Sequence, residues 1–354
     1  MKKIALIGEA WGKEEAALGL PFVGKAGQEL TRMLALAGID RKECFITNVL
    51  NLRPGVWWAK QNSTLPPENS NDLKYITLTH AEARALDPSY SLSPLASGGY
   101  LHPQLYPELD RLRGELEQFQ RDGGNIAVAL GGTAMWALSG SFGVAKSRGV
   151  VQRASICPGL KMLTTYHPAA VLREWSLRAI AIADLAKAGR EAATSDIKRP
   201  ARKVYIADSL HDLESFDSEM LVNARDVSVD IETGWGQITC IGFAPSPFAC
   251  LVVPIFYENV SWWSETDEVE VWKFIRRVLR RPSRKIGQNF LYDLQWLLRQ
   301  RINVNMLESD DTMLMHHALY PELEKSLGFL GATYCNDSAW KQLKRRGLKG
   351  KKDE

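Results

Sequence analysis

No two cysteines in this 354-residue chain are spaced as C-x-x-C. The five present (Cys44, Cys157, Cys240, Cys250, Cys335) are scattered, which argues against a zinc site or a disulfide framework. No apolar run is long enough to cross a bilayer, and Met-Lys-Lys-Ile passes straight into a strand-like run with no signal-peptide layout. The expectation is therefore a soluble, cytoplasmic protein without a membrane partner. There is no Gly-Lys-Thr/Ser of a P-loop and no Gly-x-Gly-x-x-Gly of a dinucleotide fold. Charge of one sign is also scarce: a net +3 permits nucleic-acid binding without arguing for it. The clearest basic cluster, Lys341 to Lys352, reads as a solvated terminus. With 45% hydrophobic and 24% charged residues, the chain has ordinary globular composition and enough length for two cores.

What is present is organised around one turn. The apolar run Ile4–Ile7 leads into Gly8-Glu9-Ala10-Trp11-Gly12 and then Pro21-Phe22-Val23-Gly24-Lys25-Ala26-Gly27 before a helical pattern over Gln28–Ala37. Glycines let a backbone come close to a ligand, and a carboxylate (Glu9) and an aromatic (Phe22) within the turn suit base recognition. Further strands are expected at Cys44–Leu50, Asn125–Leu130 and Leu160–Tyr166, with helices at Tyr106–Gln120 and Ala169–Ala192. Strands alternating with helices imply a parallel sheet covered on both faces, with ligands at the carboxyl ends of the strands. Glu9, Asn48, Gly131 and His167 all fall at such ends. Residues 57–102 lack any sustained period and are expected as an inserted loop.

If that site takes a base out of nucleic acid, an aromatic must stack on it and an amide must read its Watson–Crick edge. Phe22 supplies the ring, and Asn48 carries the donor and acceptor that match the N3–H and O4 of uracil. A donor at O2, His167, would stabilise the charge that builds on the ring as the glycosidic bond breaks, and Glu9 would serve near C1′. Gly-Glu-Ala-Trp-Gly-Lys-Glu-Glu, Gly-x-Pro-Phe-Val-Gly-Lys-Ala-Gly, Thr-Asn-Val-x-Asn-x-Arg-Pro, Leu-Gly-Gly-Thr-Ala and Tyr-His-Pro-Ala, in this order, resemble the family-4 uracil-DNA glycosylases. The resemblance implies a three-layer α/β/α fold, catalytic roles for Glu9 and His167, and base contacts from Phe22, Asn48, Gly8 and Ala10. It also implies DNA contacts from Arg53, Gly131 and Arg173. Two departures stand out: Trp11 replaces the family's usual proline, and Leu52 stands before Arg53-Pro54 where the family has a cluster cysteine. No iron–sulfur cluster is expected.

The polar stretch 194–202 reads as a linker between a first domain, 1–193, and a second, 203–354. In the second, Asp230-Ile231-Glu232 puts two carboxylates on one strand face. Gln288-Asn289-Phe290-Leu291-Tyr292-Asp293 puts Asn289 and Asp293 four apart. A helix is expected from a cap at Ser309 or Asp310 to Leu319. These pieces resemble the first two motifs of the 3′–5′ proofreading exonucleases of family A DNA polymerases. That resemblance implies an RNase H-like fold with Asp230, Glu232 and Asp293 holding Mg²⁺ or Mn²⁺. The third motif, Tyr-x-x-x-Asp, is absent, and Asp310, Asp311 and Asp337 are poor substitutes. The two resemblances together are similar to the N-terminal part of certain phage family A polymerases. The expectation is a two-domain α/β protein acting on DNA, with a uracil-excising site and an incomplete exonuclease. The alternatives are a base-sensing, polymerase-docking module without catalysis and a metal-dependent nuclease.

Overall fold

The computed structural model describes residues 2–258, 260–305 and 308–335. Strand β1 (Ile4–Ala10) is followed by helices α1 (Lys13–Leu18) and α2 (Lys25–Leu36). Strand β2 (Cys44–Leu50) leads into helix α3 (Pro54–Gln61), which opens on a proline whose fixed φ suits a first helical turn. Strands β3 (Thr77–Leu78) and β4 (Tyr100–Leu101) flank helix α4 (His80–Leu86). Next come α5 (Tyr106–Arg121), β5 (Ile126–Leu130), α6 (Gly132–Ser139) and α7 (Val144–Ser147). The run ends with β6 (Val151–Arg153), β7 (Lys161–Thr165), α8 (Pro168–Arg173) and α9 (Leu177–Glu191).

Strands β2, β1, β5 and β7 pair in parallel in that order, and β6 joins β7 antiparallel. Strand alternation sends Ile4 and Leu6 to one face, against Leu30, Met33 and Leu34 of α2 and Leu185 of α9. Ala5 and Ile7 face the other way, against Leu112, Leu116 and Phe119 of α5 and Leu138 of α6. The three-layer arrangement expected from the alternating pattern is thus present.

Two local expectations change. The alanine-rich stretch expected as one helix is two, because α8 ends at Arg173 and α9 starts at Leu177. Arg178 ties the start of α9 to the buried Glu29 of α2 at 2.7 Å. The 57–102 stretch is not a bare loop. It contains most of α3, all of α4 and the β3–β4 pair, and it buries Ile76, Ala83, Tyr90, Leu95 and Leu101. Tyr90 donates its hydroxyl to Leu101 O at 2.9 Å, and Trp57 meets His102 edge-on. These apolar residues are spread over pieces too short to show a period.

The chain divides into two compact units: residues 1–198 joined by the chain from Gly328 onward, and residues 199–327. Residues 328–335, read from sequence as part of the second domain, therefore pack with the first, where Phe329, Leu330 and Ala332 are buried. Asp337 and the lysine-rich stretch Lys341–Lys352 lie outside the described residues. The second unit runs β8 (Lys203–Ile206), α10 (Leu210–Phe216), β9 (Asp226–Gly234), β10 (Gln237–Ser246) and β11 (Ala249–Pro254). It continues with β12 (Phe256–Tyr257), β13 (Val260–Ser261), α11 (Glu265–Arg280), β14 (Arg284–Gly287) and α12 (Phe290–Arg299). Strand β15 (Ser309–Asp311) and helix α13 (Thr312–Leu319) follow, and helix α14 (Leu327–Tyr334) is the last element described.

Its sheet is mixed, ordered β15-β14-β9-β10-β11-β8, with β10 antiparallel to both neighbours. The helix expected from Ser309 or Asp310 begins at Thr312. Ser309 and Asp310 pair with β14, and Asp311 caps the helix by accepting the Met313 N–H at 2.8 Å.

A Tyr90→Ala variant should lose about 3 kcal/mol in urea unfolding, the usual cost of truncating a large buried side chain. It should also open residues 57–102 to protease; unchanged stability would return that stretch to a loop.

Candidate active site

At the carboxyl end of the first sheet lies a cleft of about 550 Å³, lined by Glu9, Ala10, Trp11, Phe22, Asn48, Gly131, His167 and Arg173 among others. Residues far apart in the chain meet because parallel strands deliver their carboxyl ends to one edge: Gly8 is in register with Asn48 across β1 and β2. Gly8 lies beneath the site. A Cβ there would fall 2.1 Å from Asn48 Oδ1 and 2.5 Å from Phe22 Cζ. The glycine is what admits both side chains.

Phe22 sits at φ 55°, in the left-handed region that bulky residues avoid, and is 6% exposed. Its turn is clamped from several sides. Arg41 Nη2 donates to Phe22 O (2.9 Å), Arg41 Nη1 donates to Gly27 O (3.1 Å), and Glu15 Oε1 accepts the N–H groups of Val23 (3.0 Å) and Gly24 (2.9 Å). Such strain persists where surrounding contacts over-determine it, and it clusters at binding sites. Asn48 is 2% exposed. Arg111 of α5 donates to its carbonyl at 2.8 Å, and Asn48 lines the cleft.

Glu9 Oε2 accepts the Thr133 hydroxyl at 2.5 Å. Burial pushes its carboxyl above the usual range, while Thr133 and the Arg173 charge pull it back. His167 accepts the Ala169 N–H on Nδ1 at 3.1 Å, so its proton sits on Nε2. Burial, helped by the nearby Arg173 charge and opposed by Glu15, holds its pKa down to about 4. The ring is a neutral donor at neutral pH. Arg173, exposed at the end of α8, leaves a cation at the rim.

Arg53 does not line the cleft. Its Nε donates to Asn71 at 2.8 Å, and it is Asn71 that lines it. Thr133, Glu15, Arg41 and Arg111 escaped the sequence reading. Thr133 stood in plain view in Gly131-Gly132-Thr133, but its role depends on Glu9 arriving across the sheet.

The iron–sulfur chemistry of the resembled family does not fit these residues. Leu52 packs against the core where a cysteine ligand would stand. Cys44 and Cys157 are buried in different cores, and burial pushes the Cys44 thiol up to about 11. In the second unit, Asp230 and Glu232 share the exposed face of β9, as their spacing required. Among the described residues no group of three or more His, Cys, Asp or Glu is placed to hold a metal ion. Asp293 Oδ1 is taken by the Ile231 N–H at 2.9 Å, just where β9 has left β14. Burial, with Asp230 and Asp311 nearby, pushes Asp293 up to about 6. Asn289 is at φ 55°, and its N–H and that of Phe290 bind Asp311.

Nitrogen NMR of histidine-labelled protein should find His167 as the Nε2–H tautomer and unprotonated at pH 5.5. Protonation with a pKa near 6.5 would contradict this environment.

The described pattern "Uracil DNA glycosylase superfamily" matches residues 1–188. The type-4 uracil-DNA glycosylase of Thermotoga maritima is 30% identical over 193 residues, 52% of this chain and 76% of that protein. The type-4 enzyme of Archaeoglobus fulgidus is 52% identical over 52 residues, 15% of this chain and 26% of that protein. Among solved structures, Escherichia coli RNase D overlaps 41% of this chain and 38% of its own at a TM-score of 0.32 and 15% identity. The EXD2 exonuclease domain overlaps 43% and 78% at 0.25 and 14%. Those two values carry no functional argument. The chain belongs to the uracil DNA glycosylase superfamily, hydrolases of N-glycosyl bonds.

Proposed function

We propose that the first unit removes uracil from DNA. The flipped base stacks on Phe22, and the Asn48 amide pairs with its N3–H and O4. As the N1–C1′ bond breaks, its electron pair moves onto the uracil ring, where His167 Nε2–H donates to O2. A neutral histidine serves here because a hydrogen bond, and not a proton already lost to solvent, meets the growing charge. Water adds at C1′, positioned by the Glu9 carboxylate, which takes up its proton as the C–O bond forms; that proton balances the uracil anion, which leaves as neutral uracil. Arg173 at the rim meets a phosphate. The observation that supports this reading is the meeting of Glu9, Phe22, Asn48 and His167 in one cleft.

For the second unit the proposal rests on sequence resemblance alone: handling of DNA beside a family A polymerase of phage type, in the cytoplasm. Co-purification with such a polymerase tests it, and no complex at micromolar concentrations would remove it.

A 5′-labelled single strand carrying one uracil, incubated in EDTA and then treated with alkali, tests excision. One cleavage band at the uracil is expected. Losing the His167 donor as His167→Ala should slow it about 10²- to 10³-fold, and Asn48→Ala should abolish it. Intact DNA that is still bound would favour a base sensor and overturn excision.

The pH profile follows from the two shifts. A raised Glu9 pKa means that the carboxylate is present above that value and lost as pH falls through it, while His167 stays neutral down to about 4. The acid limb should therefore track Glu9. Thr133→Val removes a hydrogen bond that lowers the Glu9 pKa, so the limb should move to higher pH, and Thr133→Ser should restore it. A limb unmoved by Thr133→Val would take Glu9 out of that role.

A further inference from the structure

The chain beyond the second unit returns to the first, and it meets a receptor that the base chemistry does not use. Phe329 lies over the Arg148 guanidinium, 4.9 Å from ring centroid to Cζ. Arg148 Nη1 also donates to Thr333 Oγ1 at 3.2 Å. Lys187 of α9 donates to Ala332 O at 2.8 Å and to Cys335 O, the carbonyls at the end of α14. An ammonium at a helix C-terminus satisfies carbonyls left without intrahelical partners and meets the negative end of the dipole. Gly149 makes room. It sits at φ 74°, and a Cβ there would lie 3.0 Å from Ala332 O. Arg148 and Lys187 are both buried, at 2% and 6% exposure. Two buried cations need such partners, because a cation taken from water and left unpaired is strongly destabilising.

The contacts continue inward. Arg148 pairs with the buried Asp184, its Nε donating to Oδ2 at 2.8 Å. The same Oδ2 accepts the Thr165 hydroxyl at 2.8 Å. Thr165 ends β7, two residues before His167, and its carbonyl accepts the Gly131 N–H at 2.9 Å. A line of buried hydrogen bonds thus runs from α14 to the two strand ends that carry Gly131 and His167.

We propose that residues 328–335 are a clasp of the first unit, docked within the same chain, that braces the His167 end of β7 through Arg148, Asp184 and Thr165.

Hydrogen–deuterium exchange on the full chain tests this without any need for uracil chemistry. In the wild type, amides of 328–335 should be protected equally at all protein concentrations. Phe329→Ala and, as a milder change, Lys187→Met should each speed exchange about tenfold in 328–335 and in 165–171, leaving 226–254 unchanged. Free exchange of 328–335 in the wild type would overturn the clasp. Protection that grows with concentration would assign the segment to a second copy and overturn docking within the chain. Exchange in 165–171 unchanged in both variants would overturn the brace.

Discussion

The missing side chain of Gly8 is the constraint on which the cleft depends. Strand β1 must end under a ring and an amide at once, and the space a Cβ would occupy is taken by Asn48 Oδ1 and Phe22 Cζ. Once Phe22 is drawn down onto that floor, its backbone is forced to positive φ, and the turn has to be held there. Arg41, Glu15 and the close approach at Gly27 are the means. Asn48 is held in a parallel way, by Arg111 reaching from α5 to the last carbonyls of β2. Phe22 and Asn48 are both held through their backbone carbonyls, by Arg41 and Arg111.

The same enclosure sets the charges. Burial acts in opposite directions on an acid and a base, raising Glu9 and lowering His167. Both shifts favour neutral forms, and partners moderate them unequally. Thr133 and Arg173 favour the Glu9 carboxylate, while Arg173 further disfavours a charged His167. Arg173 at the rim thus moderates the effect of burial on Glu9 and adds to it on His167.

Ile76 and Leu101, with Trp57 and Leu52 packed beside them, join the core that Ala5 and Ile7 of β1 share with α5. Helix α14, read with the second unit by position, is bound to the first by two buried cations. In the second unit, strand alternation did put Asp230 and Glu232 side by side. Asp293 Oδ1 accepts the Ile231 N–H of the same strand.

The sequence by itself determined the α/β class, the four parallel strands and the strand-end positions of Glu9, Asn48, Gly131 and His167. Period, turn glycines and strand polarity are local properties, and a parallel sheet sends all its carboxyl ends to one edge. Only the tertiary structure decided which groups hold those residues. Thr133 on Glu9, Arg41 on Phe22 and Arg111 on Asn48 are contacts across 19 to 124 positions of chain. So, too, with Phe329 on Arg148: a threonine, an arginine or a phenylalanine carries no mark of its distant partner. Which partner it meets is settled by how helices pack on the sheet, a long-range outcome that no local pattern encodes.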